Sequence, residues 1–429
     1  MTRHFQPLWF DPQYRARSPE LKNLIREFAK HLAEAELSDG LRERARTDIA
    51  RRNFFESIEA LACNLMLLSL MSDDVALAVP RSHGFIWAKG RYGNPVFGQH
   101  FLDAVDLMAK LGMLRKISTG YRRSAMVKAP SLIVPITRLA KFLPLQGFDP
   151  KVVKRLDEPE VLILKTGKDS EGQSNPVDYR DTARTRLMRR QVNRINKWLQ
   201  NADIEVLDGG AGVHLGKDGQ LVILHRRSLR RIFNNGTWQN GGRLAGGFWM
   251  SASRTERFER IRLDGEPIAD VDYRQLFPRL AYVRAQAEQP EDDIYNVAGD
   301  GNGRDGWKML LNAMLFADGR LGNWPKGARE HFPAGMKLRD AIDMLKRKHA
   351  PIAHLFGTGL GFELMRIESD MLIAVVSSLF KRGITALPLH DAVLVAHSHA
   401  ETAKQLMQDE FTLRTGSRCA IVSVELEPN

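Results

Sequence analysis

Apolar residues recur every third or fourth position in several long stretches of this chain and every second position in several shorter ones, so one polypeptide carries both helix and strand signals. Leu21, Ile25, Phe28 and Leu32 put a helical stripe on the charged residues 1–45. From about residue 46 a long apolar helix is expected, its richest part at 58–71, then a turn at Asp73 and Asp74 and a second helix around 96–111. Alternating segments at 113–117 and 131–135 follow, divided by a Gly120 turn that carries Arg122, Arg123 and Lys128. Residues 161–165 read as an apolar strand and 178–201 as a helix. On that helix Met188, Val192, Ile195 and Leu199 fall on one side, while Arg186, Arg190, Arg194 and Lys197 fall on the other at about 100° per residue. One face should pack and the opposite face should form a cationic rail.

The succession over 46–145 resembles a winged helix, in which one helix enters a DNA groove and a basic hairpin touches phosphate. Arg122, Arg123 and Lys128 would sit on that hairpin. Composition supports a polyanionic partner. The 429 residues carry 63 Lys plus Arg against 51 Asp plus Glu, a formal charge of +12 and a pI near 9.7. The excess is concentrated, because residues 180–262 hold 17 basic and 7 acidic residues.

Other classes are disfavoured. The 58–71 run is shorter than the ~20 residues that cross a bilayer and contains Glu59 and Asn64, so no membrane partner is expected. The opening residues lack the apolar core of a secretory signal, and a cytoplasmic location is expected. Cys63 and Cys419 are too few and too distant for a disulfide framework or a cysteine zinc site.

Three segments carry candidate chemistry. In IADVDYRQLFPRLAY, residues 268–282, Asp270 and Asp272 share one strand face before a turn into a helix. Near 304 a helix begins on which Arg304, Lys308, Asn312 and Phe316 recur every fourth residue, two cations followed by an amide and an aromatic. ITALPLHDAVLVAHS, residues 384–398, reads as a β-hairpin delivering Asp391 next to His390.

These segments, in this order, resemble motifs A, B and C of family A DNA polymerases. DYRQLFPRLAY is similar to the family's D-Y-S-Q-I-E-L-R-V-L-A, the Arg304 and Lys308 spacing to its R-x-x-x-K, and LPLHDAVLV to its V-H-D-E-L-V. GGRLAGGFW at 241–249 resembles the T-G-R-L-S-S element, and Asp293, Ile294 and Tyr295 resemble D-I-H. The likeness spans residues 241–396 and departs at two acids, where Phe277 and Ala392 replace glutamates. The L-F-P after Asp272 is similar to the L-Y-P of family B enzymes, whose ring blocks a sugar 2′-hydroxyl.

The resemblance implies an α+β polymerase right hand of palm, fingers and thumb with an antiparallel palm sheet, preceded by a winged-helix-like helical domain. The expected units are an N-terminal helical segment at 1–45, the winged module at 46–145, a linker and thumb-like basic helix at 146–230, and palm and fingers at 231–429. Asp272 and Asp391 would hold two Mg²⁺ ions, Mn²⁺ being able to substitute, with Asp270 in reserve. Lys308 would neutralise or protonate the departing pyrophosphate, and Arg304, Asn312, Phe316, Phe277 and Tyr273 would contact the nucleotide. Arg243 and His390 would lie by the primer end, and Arg186, Arg190, Arg194 and Lys197 along the duplex. The expected partners are a DNA primer–template, deoxynucleoside triphosphates and further replication proteins. Asp169 and Glu171 form a D-x-E in a polar loop, so no proofreading exonuclease is expected. Three alternatives stand: a primase or single-subunit RNA polymerase on the same fold, a non-catalytic DNA-binding replication initiator, and an H-D phosphohydrolase using His390, Asp391, His349 and His354.

Overall fold

The computed structural model describes residues 5–81, 90–119, 122–124, 127–128, 131–156, 160–170, 172–207, 213–215, 221–223 and 226–427. Helices and strands mix throughout, an α+β protein. Its apolar residues gather into three cores, one running from Leu8 to Val153, one from Val161 to Val422, and a small one from Ile294 to Leu345.

In the first core the helix Pro19–Ser38 starts where Ser18 accepts a hydrogen bond from the Leu21 amide. It buries Leu21, Ile25, Phe28 and Leu32 as their spacing requires. The helix Asp48–Leu68 is apolar on every side over its second half and runs through the centre of the core. Its one buried amide, Asn64, bonds the Asp11 backbone at both N–H and C=O. A four-stranded sheet covers these helices in the order Gln6–Trp9, Val75–Val79, Ser131–Pro135, Leu114–Thr119. The first pair is parallel and the others antiparallel.

Two sequence expectations are corrected here. The N-terminal segment opens with the strands Gln6–Trp9 and Tyr14–Ala16 before its helix, and its residues share one core with those up to Val153, so 1–45 and 46–145 are one packed unit. The Val75–Val79 strand was masked in the sequence because all five residues are buried and show no alternation. The segments read as alternating pair as Leu114–Thr119 with Ser131–Pro135, and between them Arg122–Ser124 and Val127–Lys128 form a further short pair that the sequence reading did not give, whereas Gly120 and the side chains of Arg122, Arg123 and Lys128 lie outside the described residues.

The second core is built on an antiparallel six-stranded sheet. Its central strand, Glu266–Arg274, pairs along one edge with Ala392–Ala396, and along the other with Ile261–Leu263 and then Ile421–Glu425. Ala386–Leu389 and Ile204–Val206 are the outer strands. The apolar helix Leu360–Lys381 and the helix Ala400–Thr415, through Ala403, Met407 and Phe411, pack against it. The basic helix Ala183–Asn201 belongs to the same core, so no packing boundary falls at 230.

That helix presents the faces read from its sequence. Met188, Val192, Ile195 and Leu199 are buried, and Arg186, Arg190, Arg194 and Lys197 are exposed and without a carboxylate partner among the described residues. Asn196 clamps it to the body, its Nδ2 donating to the Leu229 carbonyl at 2.9 Å and its Oδ1 accepting from the Leu229 amide at 2.8 Å. Trp198 stacks on Phe380 at 4.8 Å. At the junction of the two large cores, buried Glu160 accepts from Arg91 and Arg189, each at 2.9 Å. Replacing Asn196 with Ala leaves a buried N–H and C=O without partners, and should lower unfolding free energy by about 2 to 4 kcal/mol. Urea denaturation reads it, and an unchanged midpoint would sink the clamp.

Candidate active site

Alternation along Glu266–Arg274 sends Asp270 and Asp272 to one face and Val271 and Tyr273 to the other. On the second face Val271 and Tyr273 are buried, and the Tyr273 hydroxyl donates to the Met407 carbonyl at 2.5 Å. Tyr273 therefore ties the strand to the helix Ala400–Thr415. It is not available to a nucleotide on the Asp272 face, and this corrects its expected role.

Asp391 arrives on the tight hairpin between Ala386–Leu389 and Ala392–Ala396, where Leu389 opposes Ala392 and only His390 and Asp391 form the turn. Such turns favour a left-handed first residue, ordinarily glycine. Here it is His390, at φ 57° and exposed, a conformation of the kind held at functional sites by the structure around it. Registry brings the two acids together, since Asp272 opposes Ala392 and the Tyr273 amide donates to the Asp391 carbonyl at 3.3 Å. Both carboxylates are half-buried, and neither has a side-chain hydrogen bond or ion pair among the described residues. Burial, then the charges of Asp391 and Asp270, push the Asp272 carboxyl up to about 8, while Arg274 and Lys308 draw it down. Asp270 is 9% exposed, has an Oδ1 without a hydrogen-bond partner, and is likewise raised by burial.

Hard oxygen donors with uncompensated negative charge fit a divalent cation such as Mg²⁺. Among the described residues no group of three or more His, Cys, Asp or Glu side chains is arranged to hold a metal. The fit therefore rests on the Asp272 and Asp391 pair, with Asp270 two residues along the strand, and further ligands would be water, backbone or substrate oxygens.

After Asp272 the chain reverses through Gln275, at φ 59°, into the helix Leu276–Arg284. Gln275 donates to Asp293 at 2.6 Å and accepts from Arg279 at 2.9 Å. Asp293 also accepts from Arg304 Nε at 2.6 Å, and the Arg304 guanidinium lies 5.1 Å from the Tyr295 ring. Arg304 was expected to be free for phosphate. Its Nε and, at 3.5 Å, its Nη2 are turned to Asp293, and the side chain remains 42% exposed, so the ion pair orients the guanidinium and leaves its remaining N–H donors for an anion.

The helix Arg304–Phe316 starts at Gly303 and buries Trp307, Leu310, Leu311 and Met314 in the small third core. Its opposite face keeps Lys308 exposed and Asn312 and Phe316 half-buried, and the Asn312 Oδ1 lacks a partner. Phe316 makes edge contacts with Phe277 at 5.4 Å and Phe362 at 5.2 Å. Gly361 permits this, because a Cβ there would stand 2.6 Å from the Phe316 ring. Arg243 joins the group with its guanidinium 5.4 Å from the centre of the Phe277 ring.

Arg243 exposes a residue that the sequence reading missed. It grips Glu368 through Nε at 3.0 Å and Nη2 at 2.8 Å. Glu368 is 1% exposed, and burial pushes its carboxyl up to about 7, against the pull of Arg243 and with a push from Asp391. The signal lay in LMRIESDMLIAVV, where Arg366, Glu368 and Asp370 interrupt an otherwise apolar helix. Asp370 pairs with Arg366 at 2.8 Å and with buried Arg231 at 2.6 Å.

The H-D alternative loses its upstream histidines. His349 is buried with Tyr282 at 3.0 Å on Nδ1 and the Ile294 carbonyl at 3.1 Å on Nε2, and His354 is exposed at a helix turn. Asp169 accepts from backbone within its own loop, and Glu171 lies outside the described residues. No protein-family model matches the chain, and no curated protein matches it.

Burial drives the His349 imidazole down to about 4 from an unfolded value of 6.5. The unfolded chain then binds a proton that the folded chain refuses, so stability is full above pH 6.5 and falls towards pH 4. Comparing His349→Gln with the parent by denaturant unfolding at pH 7.5 and 4.5 should show the parent losing about 2 to 3 kcal/mol more. Parallel losses in both proteins would mean that the ring is not held neutral.

Proposed function

We propose that this chain is a template-directed DNA polymerase that adds deoxynucleotides to a 3′-hydroxyl by two-metal-ion nucleotidyl transfer, with a right-hand catalytic region, and without a proofreading exonuclease. The observation that carries the proposal is the meeting of Asp272 and Asp391 at adjoining strand ends, half-buried, mutually repelling and without an ion pair among the described residues. A purely structural pair of acids would be expected to have acquired an arginine or backbone donors. Bound Mg²⁺ would supply charge neutralisation at the attacking and leaving oxygens and acidify the attacking hydroxyl.

The chain's own groups divide the remaining work. Lys308, exposed and close enough to Asp272 to draw its carboxyl down, would neutralise the departing pyrophosphate and hand it a proton. Phe277, wedged between Arg243 and Phe316, would close the space where a ribose 2′-hydroxyl would project. Phe316 and Asn312 would border the incoming base. The Arg243–Glu368 pair would set the guanidinium by the primer end with His390 beyond it, while Arg186, Arg190, Arg194 and Lys197 would follow the duplex backbone. In the first unit, Val75–Val79, Ser131–Pro135 and Leu114–Thr119 lie in the strand order of a winged helix, with the helix Gln99–Lys110 ahead of the hairpin. That order supports a second DNA-contacting module there.

Extension of a labelled primer on a DNA template with magnesium tests the reading, beside a primer-free control. Asp272→Asn and Asp391→Asn should each reduce synthesis by roughly 10³-fold or more, with primer–template affinity held within about threefold. Retained synthesis in either variant would refute the assignment, and a parent protein that binds DNA without extending it would favour the initiator alternative. Phe277→Ala should raise ribonucleotide use relative to deoxynucleotide use by about tenfold or more. Unchanged sugar selection would remove the ring from that role and strengthen the primase or RNA polymerase alternative.

A further inference from the structure

Far from the carboxylates, the helices Pro19–Ser38 and Asp48–Leu68 fold back on each other and leave a cavity of about 640 Å³ between them. At one end Arg26 lies 6.0 Å over the Phe55 ring, and at the other Arg46 lies 3.7 Å over Phe54 while pairing with buried Glu36. Arg26, Ala29, Lys30, Ala33 and Leu37 line one wall at i, i+3, i+4, i+7 and i+11, a single helix face. Asp48, Arg51, Arg52 and Phe55 do the same on the other wall. From residue 26 to 37 the wall is about 17 Å long at 1.5 Å per residue, three turns of a helix. Small and aromatic side chains, Ala29, Ala33, Ala45, Phe54 and Phe55, line it together with Leu37, which is 41% exposed.

Charge selects the occupant. Arg51 is paired with Asp48, and Arg46 with Glu36, but Arg26, Lys30 and Arg52 have no carboxylate partner among the described residues. Against these three stands Glu34 as the unpaired acid of the lining. We propose that the groove docks an acidic amphipathic helix of a partner protein, about three turns long, with its apolar stripe on the alanines and phenylalanines and its carboxylates against Arg26, Lys30 and Arg52. A nucleic acid fits less well, because the apolar Ala29, Ala33, Leu37, Phe54 and Phe55 offer base edges no hydrogen-bonding floor and Glu34 and Asp48 interrupt any rail for phosphates. The Ala183–Asn201 helix, whose outer face carries Arg186, Arg190, Arg194 and Lys197 in a row, has the opposite character. The inference is independent of the carboxylate site.

The probe is a fluorescein-labelled 14-residue peptide with Leu at helical i, i+3, i+4 and i+7 spacing and Glu on its other face, titrated with the full chain by anisotropy. A Kd on the order of 10 μM is expected, weakened about tenfold when the same residues are permuted to destroy the stripe. Ala33→Trp, which fills the groove, should weaken binding by about tenfold or more, and Lys30→Glu with Arg52→Glu by about threefold to tenfold, more at low salt than high. Both charged positions are exposed, so that double variant remains readable if Ala33→Trp fails to fold. Equal binding of patterned and permuted peptides, or indifference to the charge reversals, would overturn the proposal. So would an oligonucleotide that displaces the peptide and loses affinity on the same reversals, which would give the groove to nucleic acid. Self-association of the parent that Ala33→Trp abolishes would give it to a second copy of this chain.

Discussion

Like charges brought together in one half-buried place are the constraint that organises the C-terminal half. Holding Asp270, Asp272 and Asp391 at neighbouring positions of one sheet is unfavourable, because desolvation and mutual repulsion both raise the free energy of the ionised forms. What keeps them there is packing elsewhere on the same strands. Val271 and Tyr273 on the reverse face, the Tyr273 hydroxyl on Met407, and the antiparallel pairing on both edges of Glu266–Arg274 fix the backbone whatever the carboxylates do. A one-residue slip of that strand would put Tyr273 where Asp272 is and expose the apolar set, so burial on one face sets the registry on the other.

Much of this was legible because alternation is a local signal. Asp270 and Asp272 on one strand face and the two-sided basic helix follow from residue spacing and appear where spacing puts them, and the hairpin at 384–398 is found too, but His390 and Asp391, read as alternating strand positions, form its turn. The same reasoning failed with Tyr273. Its neighbour in sequence was read as chemistry, and the aromatic was carried along, although period-two geometry already sent it to the opposite face. The strand Val75–Val79 was lost for another reason, since five buried residues in a row have no polar partner to set a period.

Partners were less legible than positions. Nothing in the spacing of Arg304 indicates that Asp293, eleven residues earlier, occupies its guanidinium, and nothing in GGRLAGG indicates that Arg243 is held by Glu368, 125 residues away. Such pairings depend on how elements stack, and stacking is a tertiary result. A charged trio inside an apolar helix was nevertheless readable as a demand for partners, because an unpaired ion in a core is too costly to persist. Arg366, Glu368 and Asp370 each found one.

The Glu368 pairing also ties the two halves of the proposed site together. Glu368 feels Asp391 as a repelling charge and Arg243 as an attracting one, and Arg243 in turn lies on the Phe277 ring beside Phe316. In the proposed polymerase, charge added near Asp391 would act on Glu368 and through it on its grip on Arg243, which lies on the Phe277 ring. A divalent cation at the aspartates would relieve the repulsion on Glu368 and leave it fully ionised, tightening the bidentate pair. Cation binding and the placement of Phe277 would then be linked through a chain of three side chains, each in contact or in electrostatic reach of the next, without any movement of the backbone.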